Sequence, residues 1–267
     1  MRITLPVTAV AAMLVAACAQ DDRSARPALH EPSISISGAG PVAPRPPRVP
    51  ASYNKVNTSR SVVALTFDDG PHPEYTPKLL DILRHHGVRA TFYVIGRSVD
   101  AHPEIARRIV SEGHEIANHT WSHPALPSLG AARLRQEMDK TTDAIVRATG
   151  RRPTNMRPPY GAINERVRQT ILRDYGFDVI MWSCDPLDWK RPGAEVVRRR
   201  LVEGATPGGI LLAHDIHPGT IEAVPGAIQD LKAKGYGFAT VSQLLALQEP
   251  ATPRPATPVG QEQAAVR

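Results

Sequence analysis

The segment SVVALTFDDGP, residues 61–71, decides the fold of this chain. Residues 62–67 are apolar or β-branched, and Asp, Gly and Pro follow them at once, which is typical of a buried strand that ends in a turn. Residues 76–86 come next, with apolar residues at helical spacing and Gly87 as a stop. The ordered part of the chain therefore begins with a strand–helix unit.

The same alternation continues along the chain. Further strands are predicted at 90–95, 114–117, 177–182, 209–213 and 236–238, and further helices at 103–112, 130–149, 194–203, 221–234 and 241–247. Regular alternation predicts an α/β fold whose largely parallel sheet is closed, or nearly closed, into a barrel. In such folds the catalytic side chains collect at the carboxyl ends of the strands.

The two ends of the chain have a different composition. Residues 19–56 and 249–267 are rich in Pro, contain few large apolar residues and have no helical or alternating period. Such segments cannot bury enough surface to offset the entropy that is lost on ordering, so we predict a disordered tether and a disordered tail. The remaining residues, 57–248, are expected to form one domain.

Residues 1–18 are predicted to be a targeting segment rather than part of the fold. The apolar stretch 3–17 follows Arg2 and is too short for a comfortable membrane span. The sequence Val-Ala-Ala-Cys at 15–18 resembles the lipobox of bacterial lipoproteins, in which the Cys is acylated and becomes the new N-terminus. We therefore expect Cys18 to carry lipid, with an ordinary signal peptide as the alternative.

Composition excludes several classes of protein. Only two residues are Cys, so neither a disulfide framework nor a four-thiolate metal cluster is possible. No internal apolar run reaches the length that spans a bilayer, which excludes a polytopic membrane protein. The net charge of +6 favours acidic surroundings, but the basic residues are scattered and form no basic aromatic patch. Nucleic-acid binding is therefore rejected.

Polar residues cluster after the predicted strands. Asp68 and Asp69 follow the first, His119 and His123 follow the third, and further clusters occupy 157–161, 185–189 and 214–215. Two imidazoles at i and i+4 can lie on one side of a helical turn and hold one metal ion, and a carboxylate would complete the site. The other carboxylate would then accept a proton. We therefore expect one shared, metal-dependent site.

Five ordered motifs carry a resemblance to a known family. The chain is similar to the polysaccharide deacetylases (carbohydrate esterase family 4, with its NodB homology domain) at TFDDG 66–70, HTWSH 119–123, RPPYG 157–161, DPLDW 185–189 and LAHD 212–215. The resemblance covers nearly all of the predicted domain. It implies a distorted (β/α) barrel and metal-dependent removal of N- or O-acetyl groups from sugars.

The resemblance also implies the parts of the metal site. Asp69, His119 and His123 would bind a divalent ion, which we expect to be Zn²⁺, with Co²⁺ as an alternative. Asp68 would be the general base, and Arg157 would pair with it and orient it. Chemistry agrees, because an amide carbonyl is a poor electrophile and a divalent ion both polarises it and activates water.

The same resemblance implies an acid and an oxyanion donor. His214 would be the general acid, and the backbone N–H of Tyr160 would help to hold the oxyanion. Asp188 would set the protonation of His214, although Asp185 in the same motif is an open alternative. A His whose pKa is raised by a neighbouring carboxylate suits the protonation of a leaving amine.

The expected function is removal of N-acetyl groups from N-acetylglucosamine units of peptidoglycan or of a chitin-like polymer or exopolysaccharide. The same residues would hydrolyse acetyl esters such as those of xylan, so the two substrate classes stay open. A non-catalytic glycan-binding lipoprotein should have lost a metal ligand or the base, and none is missing. We expect a monomer, anchored by lipid in a bacterial envelope and facing outside the cytoplasm, where it meets peptidoglycan first.

Overall fold

The computed structural model describes residues 51–250. Its strands are β1 (Ser52–Tyr53), β2 (Val62–Asp68), β3 (Thr91–Val94), β4 (Glu115–Asn118), β5 (Asn155–Met156), β6 (Asp178–Ile180), β7 (Ile210–His214) and β8 (Gly237–Phe238). Its α-helices are α1 (Tyr75–His85), α2 (Gly96–Ala101), α3 (Pro103–Ser111), α4 (Ala131–Thr149), α5 (Glu165–Thr170), α6 (Ala194–Glu203), α7 (Pro218–Ala233) and α8 (Val241–Leu245). None of these helices is long and apolar enough to cross a membrane.

The strands form one parallel sheet that curls into a barrel. The order across the sheet is β1-β6-β5-β4-β3-β2-β7, and β8 lies beside the start of β2. Just beyond β6, a parallel bridge between Cys184 and Leu211 connects the chain to β7. The two sides of the curled sheet therefore approach each other. The predicted α/β barrel with a parallel sheet is confirmed.

Alternation along β2 fills both faces of the sheet. Leu65 and Phe67 pack in a buried cluster with residues of α1, outside the barrel. Ala64 belongs to the cluster inside the barrel. Thr66 and Asp68 share the direction of Ala64, because successive side chains of a strand point to opposite faces. The last residue of β2 therefore carries a carboxylate into the open end of the barrel.

The domain begins before the predicted boundary at residue 57. β1 pairs with β6, and Val56 is fully buried in the cluster inside the barrel. At the other end, Glu249 accepts hydrogen bonds from the backbone and the hydroxyl of Ser59, so the packed domain also reaches past its predicted end. The predicted signal segment, Cys18 and most of the predicted tether and tail lie outside the described residues.

Two short elements, β5 and α2, were not predicted, and α5 was expected only as a helix near Ile163. β5 has two residues, and α2 and α5 have six each. Elements of this length carry too few residues for a period to be read from sequence. β5 matters for the site, because Arg157 follows it directly.

Candidate active site

The carboxyl ends of the strands surround an open cavity of about 400 Å³. Residues from all five motifs line it, namely Asp68, Asp69, His119, His123, Pro158, Tyr160, Asp185, Trp189, Leu212 and His214, together with Trp182. Arg157 and Asp188 are buried and hydrogen-bonded to lining residues. The structure therefore brings together every site residue that was predicted in the described part of the chain.

Asp69, His119 and His123, here called the ligand trio, have the arrangement of a metal site. Oδ1 of Asp69 lies 3.5 Å from Nε2 of His119 and 3.2 Å from Nε2 of His123. This oxygen is buried and has no hydrogen-bond partner among the described atoms, a deficit that a cation held by the trio would remove. Two imidazoles and a carboxylate are a donor set that fits zinc with a position left open.

The charge of Asp69 also suits the binding of a metal ion. Burial opposes its ionisation, but the neighbouring imidazoles of His119 and His123 outweigh burial and lower the pKa of Asp69 to about 2. The group is therefore a carboxylate at any pH at which the protein would work.

A backbone contact orients the first imidazole. Nδ1 of His119 lies 2.7 Å from the carbonyl oxygen of Arg157, so this nitrogen donates and Nε2 keeps its lone pair towards Asp69. The expected helical turn between His119 and His123 is wrong. The two residues lie in a loop, and Thr120 and His123 have positive φ angles of 69° and 62°, which turn the chain back on itself.

Glu137 holds this loop and was not predicted as a site residue from the sequence. It lies on α4 and is fully buried, and its carboxylate accepts hydrogen bonds from the backbone N–H and the hydroxyl of Ser122 at 2.8 and 2.9 Å. Arg133 forms an ion pair with it at 2.8 Å. In sequence, Glu137 looks like any charged residue of an amphipathic helix, so no local signal marks it.

Arg157 is fully buried and fixes Asp68. Its Nη1 donates to Oδ1 of Asp68 at 2.7 Å and to the hydroxyl of Thr66 at 2.8 Å. Nε and Nη2 donate to two backbone carbonyls at the end of β6 and just beyond it. All three nitrogens of the guanidinium thus donate hydrogen bonds. One oxygen of Asp68 is engaged by it, and the other faces Nε2 of His119 at 3.8 Å.

His214 pairs with Asp188 and not with Asp185. Nδ1 of His214 lies 2.8 Å from Oδ1 of Asp188, and Oδ2 of Asp188 accepts from the backbone N–H of His214 and from the hydroxyl of Thr220. Asp185 instead accepts from the backbone N–H of Leu187 at 2.7 Å. Thr220, on α7, was missed because it lies outside every motif.

The contact between His214 and Asp188 shifts the pKa of both groups. Burial disfavours the imidazolium form, but the hydrogen bond to Asp188 and its negative charge outweigh burial and raise the pKa of His214 to about 9. The pKa of Asp188 is lowered, because the contacts of His214 and Thr220 outweigh its burial. At neutral pH the pair is an imidazolium and a carboxylate.

Known proteins resemble this chain in sequence. Residues 55–180 match the family model described as polysaccharide deacetylase. Over 208 residues the chain is 38% identical to the chitooligosaccharide deacetylase of Bradyrhizobium sp. strain ANU 289. The match covers 72% of this chain and 94% of that protein. The chain belongs to the polysaccharide deacetylase family.

Another polysaccharide deacetylase, the peptidoglycan-N-acetylglucosamine deacetylase PgdA of Listeria monocytogenes strain 10403S, is 41% identical over 204 residues. The match covers 76% of this chain and 42% of the Listeria protein. The chain therefore spans less than half the length of this curated relative.

A polysaccharide deacetylase fold is not by itself evidence of activity. The crystal structure of a family pseudoenzyme from Bacillus anthracis matches the chain with a TM-score of 0.71 at 32% identity, over 75% of this chain and 71% of that one. Any activity of this chain therefore depends on its own side chains. Asp188 and His214 lie beyond the segment that the family model matches.

Proposed function

We propose that this polysaccharide deacetylase is a metal-dependent hydrolase that removes N-acetyl groups from N-acetylglucosamine units of a glycan. One observation carries the proposal. The ligand trio, the carboxylate of Asp68 and the imidazole of His214 line the same cavity. Amide hydrolysis needs activation of water, stabilisation of an oxyanion and protonation of the leaving nitrogen, and these groups can serve all three needs.

The ligand trio would hold the metal, for which we propose Zn²⁺. When bound, a divalent ion polarises the amide carbonyl and makes water nucleophilic near neutral pH. The contribution of the chain is a charged Asp69 and two imidazoles whose Nε2 atoms lie near it.

Asp68 is the proposed general base. Because Arg157 engages Oδ1, the second oxygen is left to accept a proton from the attacking water, whose oxygen then bonds to the carbonyl carbon. The backbone N–H of Tyr160 is the proposed donor to the resulting oxyanion. It donates to no acceptor among the described residues, and Tyr160 lines the cavity.

His214 is the proposed general acid. Its pKa of about 9 keeps the ring protonated at neutral pH, so it can give a proton to the sugar nitrogen as the C–N bond breaks. The products are acetate and the free amine of the sugar. The proton on Asp68 then returns to solvent, and His214 is protonated again.

We propose peptidoglycan as the glycan, because the Listeria relative is named for that polymer, with chitin-like oligosaccharides as the alternative from the Bradyrhizobium relative. The proposed location is the bacterial envelope outside the cytoplasm, with lipid on Cys18 as the anchor.

Cys18→Ser should leave kcat unchanged and move the protein out of the membrane fraction. A variant that stays in salt-washed membranes would contradict the lipid anchor.

Acetate release from three polymers tests the function. The zinc-loaded chain should release acetate from peptidoglycan or chitin oligomers, and Asp68→Asn should lose this release. Release from acetylated xylan alone would show an esterase instead. No release from any of the three, with zinc or with cobalt bound, would contradict the hydrolase and favour a glycan-binding protein.

A further inference from the structure

A second cavity adjoins the catalytic one. Its volume is about 350 Å³, and Asp69 belongs to the walls of both cavities. The rest of its lining comes mainly from the segment after β2 and from α2, and includes Pro71, His72, Pro73, Arg97, Ser98 and His102. A volume of this size falls within the range of small-molecule sites.

The lining of this second cavity is suited to an anion. Arg97 is exposed, and its guanidinium forms no hydrogen bond or ion pair with another described residue. Nδ1 of His72 accepts from the backbone N–H groups of Glu74 and Tyr75, so the neutral ring carries its proton on Nε2 and has a donor to offer. Among the described residues, Asp69 is the only carboxylate in the lining, and the ligand trio already uses it.

We propose that the second cavity binds the acidic substituent of a sugar next to the one that is deacetylated. This inference rests on the proposed function. A glycan that extends from the catalytic cavity past Asp69 would place a neighbouring sugar in the second cavity, because the two cavities share that residue. A carboxylate on this sugar, such as the lactyl carboxylate of a muramic acid that carries no stem peptide, would pair with Arg97.

The consequence is a preference for acidic glycans. A neutral chitooligosaccharide of the same length presents the same N-acetylglucosamine unit to the catalytic cavity but offers Arg97 no negative charge. His72 and Ser98 would supply further donors around the carboxylate, and Pro71 and Pro73 would form a firm apolar wall beside it. Arg97 is thus a specificity-determining residue and takes no part in the chemical step.

Substitution of Arg97 tests the preference on the metal-loaded full chain. For Arg97→Gln we expect kcat/KM to fall about tenfold on an N-acetylglucosamine–N-acetylmuramic acid oligomer, mostly through KM, because a charge-assisted contact is lost. On a chitooligosaccharide of equal length the change should stay within about twofold. Added salt should reduce the difference between the two substrates in the wild type.

Arg173→Gln is the matched control. It removes the same charge from another exposed arginine, which lines neither cavity, and it should leave both substrates unaffected. A loss for Arg97→Gln that is equal on both glycans, or absent on both, would overturn the acidic subsite. Competition by inorganic phosphate as strong as that by the acidic oligomer would overturn the assignment to a glycan carboxylate.

Equilibrium binding of the same two oligomers separates this inference from the proposed function. The wild type should bind the acidic oligomer more tightly than the neutral one, and Arg97→Gln should lose this difference. If selective binding is found without any acetate release, the hydrolase proposal fails and the second cavity stands. If acetate is released but binding is unselective, the function stands and the second cavity does not.

Discussion

At the residue scale, the two adjacent aspartates differ in what surrounds them. Oδ1 of Asp68 accepts a hydrogen bond from Arg157, whereas Oδ1 of Asp69 has no donor within residues 51–250 and lies near two imidazoles. Asp68 ends a strand and points into the barrel, while the left-handed backbone of Asp69, with φ 77°, turns the next side chain to His119 and His123. Backbone geometry gives two identical side chains different chemistry.

Substituting each aspartate by Asn should therefore have different effects. Asp68→Asn should keep the metal and lower kcat by roughly 10²–10⁴, because an amide cannot accept the proton of water. Asp69→Asn should instead lower the metal content, because an amide is a poorer ligand than a carboxylate. Metal per chain and kcat, measured on both variants, check this. Loss of metal in Asp68→Asn with retention in Asp69→Asn would show that Asp68 is the metal ligand and Asp69 the general base.

The pH dependence of the rate should report the pair of His214 and Asp188. The acid must be protonated, so kcat/KM should fall as pH rises through the His214 pKa of about 9. Asp188→Asn removes the charge that raises this pKa, so the basic limb should move to lower pH, towards the ordinary His value of about 6.5. The measurement is a pH–rate profile of each protein.

Asp185→Asn is the control for this profile. Its carboxylate caps the backbone N–H of Leu187 and does not contact His214, so the basic limb should stay in place whatever the change in rate. If Asp185→Asn moves the limb and Asp188→Asn does not, the pairing that the structure places at His214 is not the one that controls its protonation.

At the element scale, the turn after β2 is pressed against the end of β7. A Cβ added at Gly70 would lie 2.2 Å from Oδ2 of Asp215, whose carboxyl group is fully buried. The same oxygen accepts a hydrogen bond from the hydroxyl of Thr76. The backbone N–H of Asp215 donates to the carbonyl oxygen of Asp68 at 3.3 Å. The ends of the two strands therefore fix the turn that presents Asp69.

Gly70→Ala should displace this turn. We expect a loss of about 1–3 kcal/mol in the free energy of unfolding, as for overpacking of a core, together with weaker metal binding. Denaturant unfolding and metal titration measure the two effects. Gly130→Ala is the control, because a Cβ there meets no described atom within 4 Å. Since Gly130 is the N-cap of α4, the substitution should cost at most about 1 kcal/mol and leave metal binding unchanged. Equal effects of the two substitutions would contradict the close approach at Gly70.

Segments with a clear period were predictable, and those that depend on tertiary contacts were not. β2 and α1 follow from their apolar spacing, but two-residue β5, which positions Arg157, has no period to read. The family resemblance favoured Asp188 of DPLDW as the partner of His214, but the residues alone left Asp185 open, because both are polar and lie three positions apart. The loop decides it: Leu187 has a φ of 57°, and the next residue, Asp188, is buried against His214.

At the scale of the whole molecule, the proposed metal joins elements that are not neighbours in the sheet. Asp69 follows β2, and His119 and His123 follow β4, with β3 lying between these strands. The residues that would hold the ion are thus brought together only by the folded barrel. An ion that binds the folded state and not the unfolded chain stabilises the fold by mass action.

Metal removal should therefore lower stability as well as abolish turnover. With zinc at 100 times its Kd, chelation should cost about 2.7 kcal/mol, which for a domain of this size lowers Tm by roughly 5–10 °C. Thermal unfolding before and after chelation, with the metal content measured, gives this shift. Asp69→Asn is the control, because it lacks one ligand and its Tm should respond less to chelation. Full turnover of the wild type with metal verified absent would contradict the metal-dependent mechanism, and an equal Tm shift in both proteins would place the metal elsewhere.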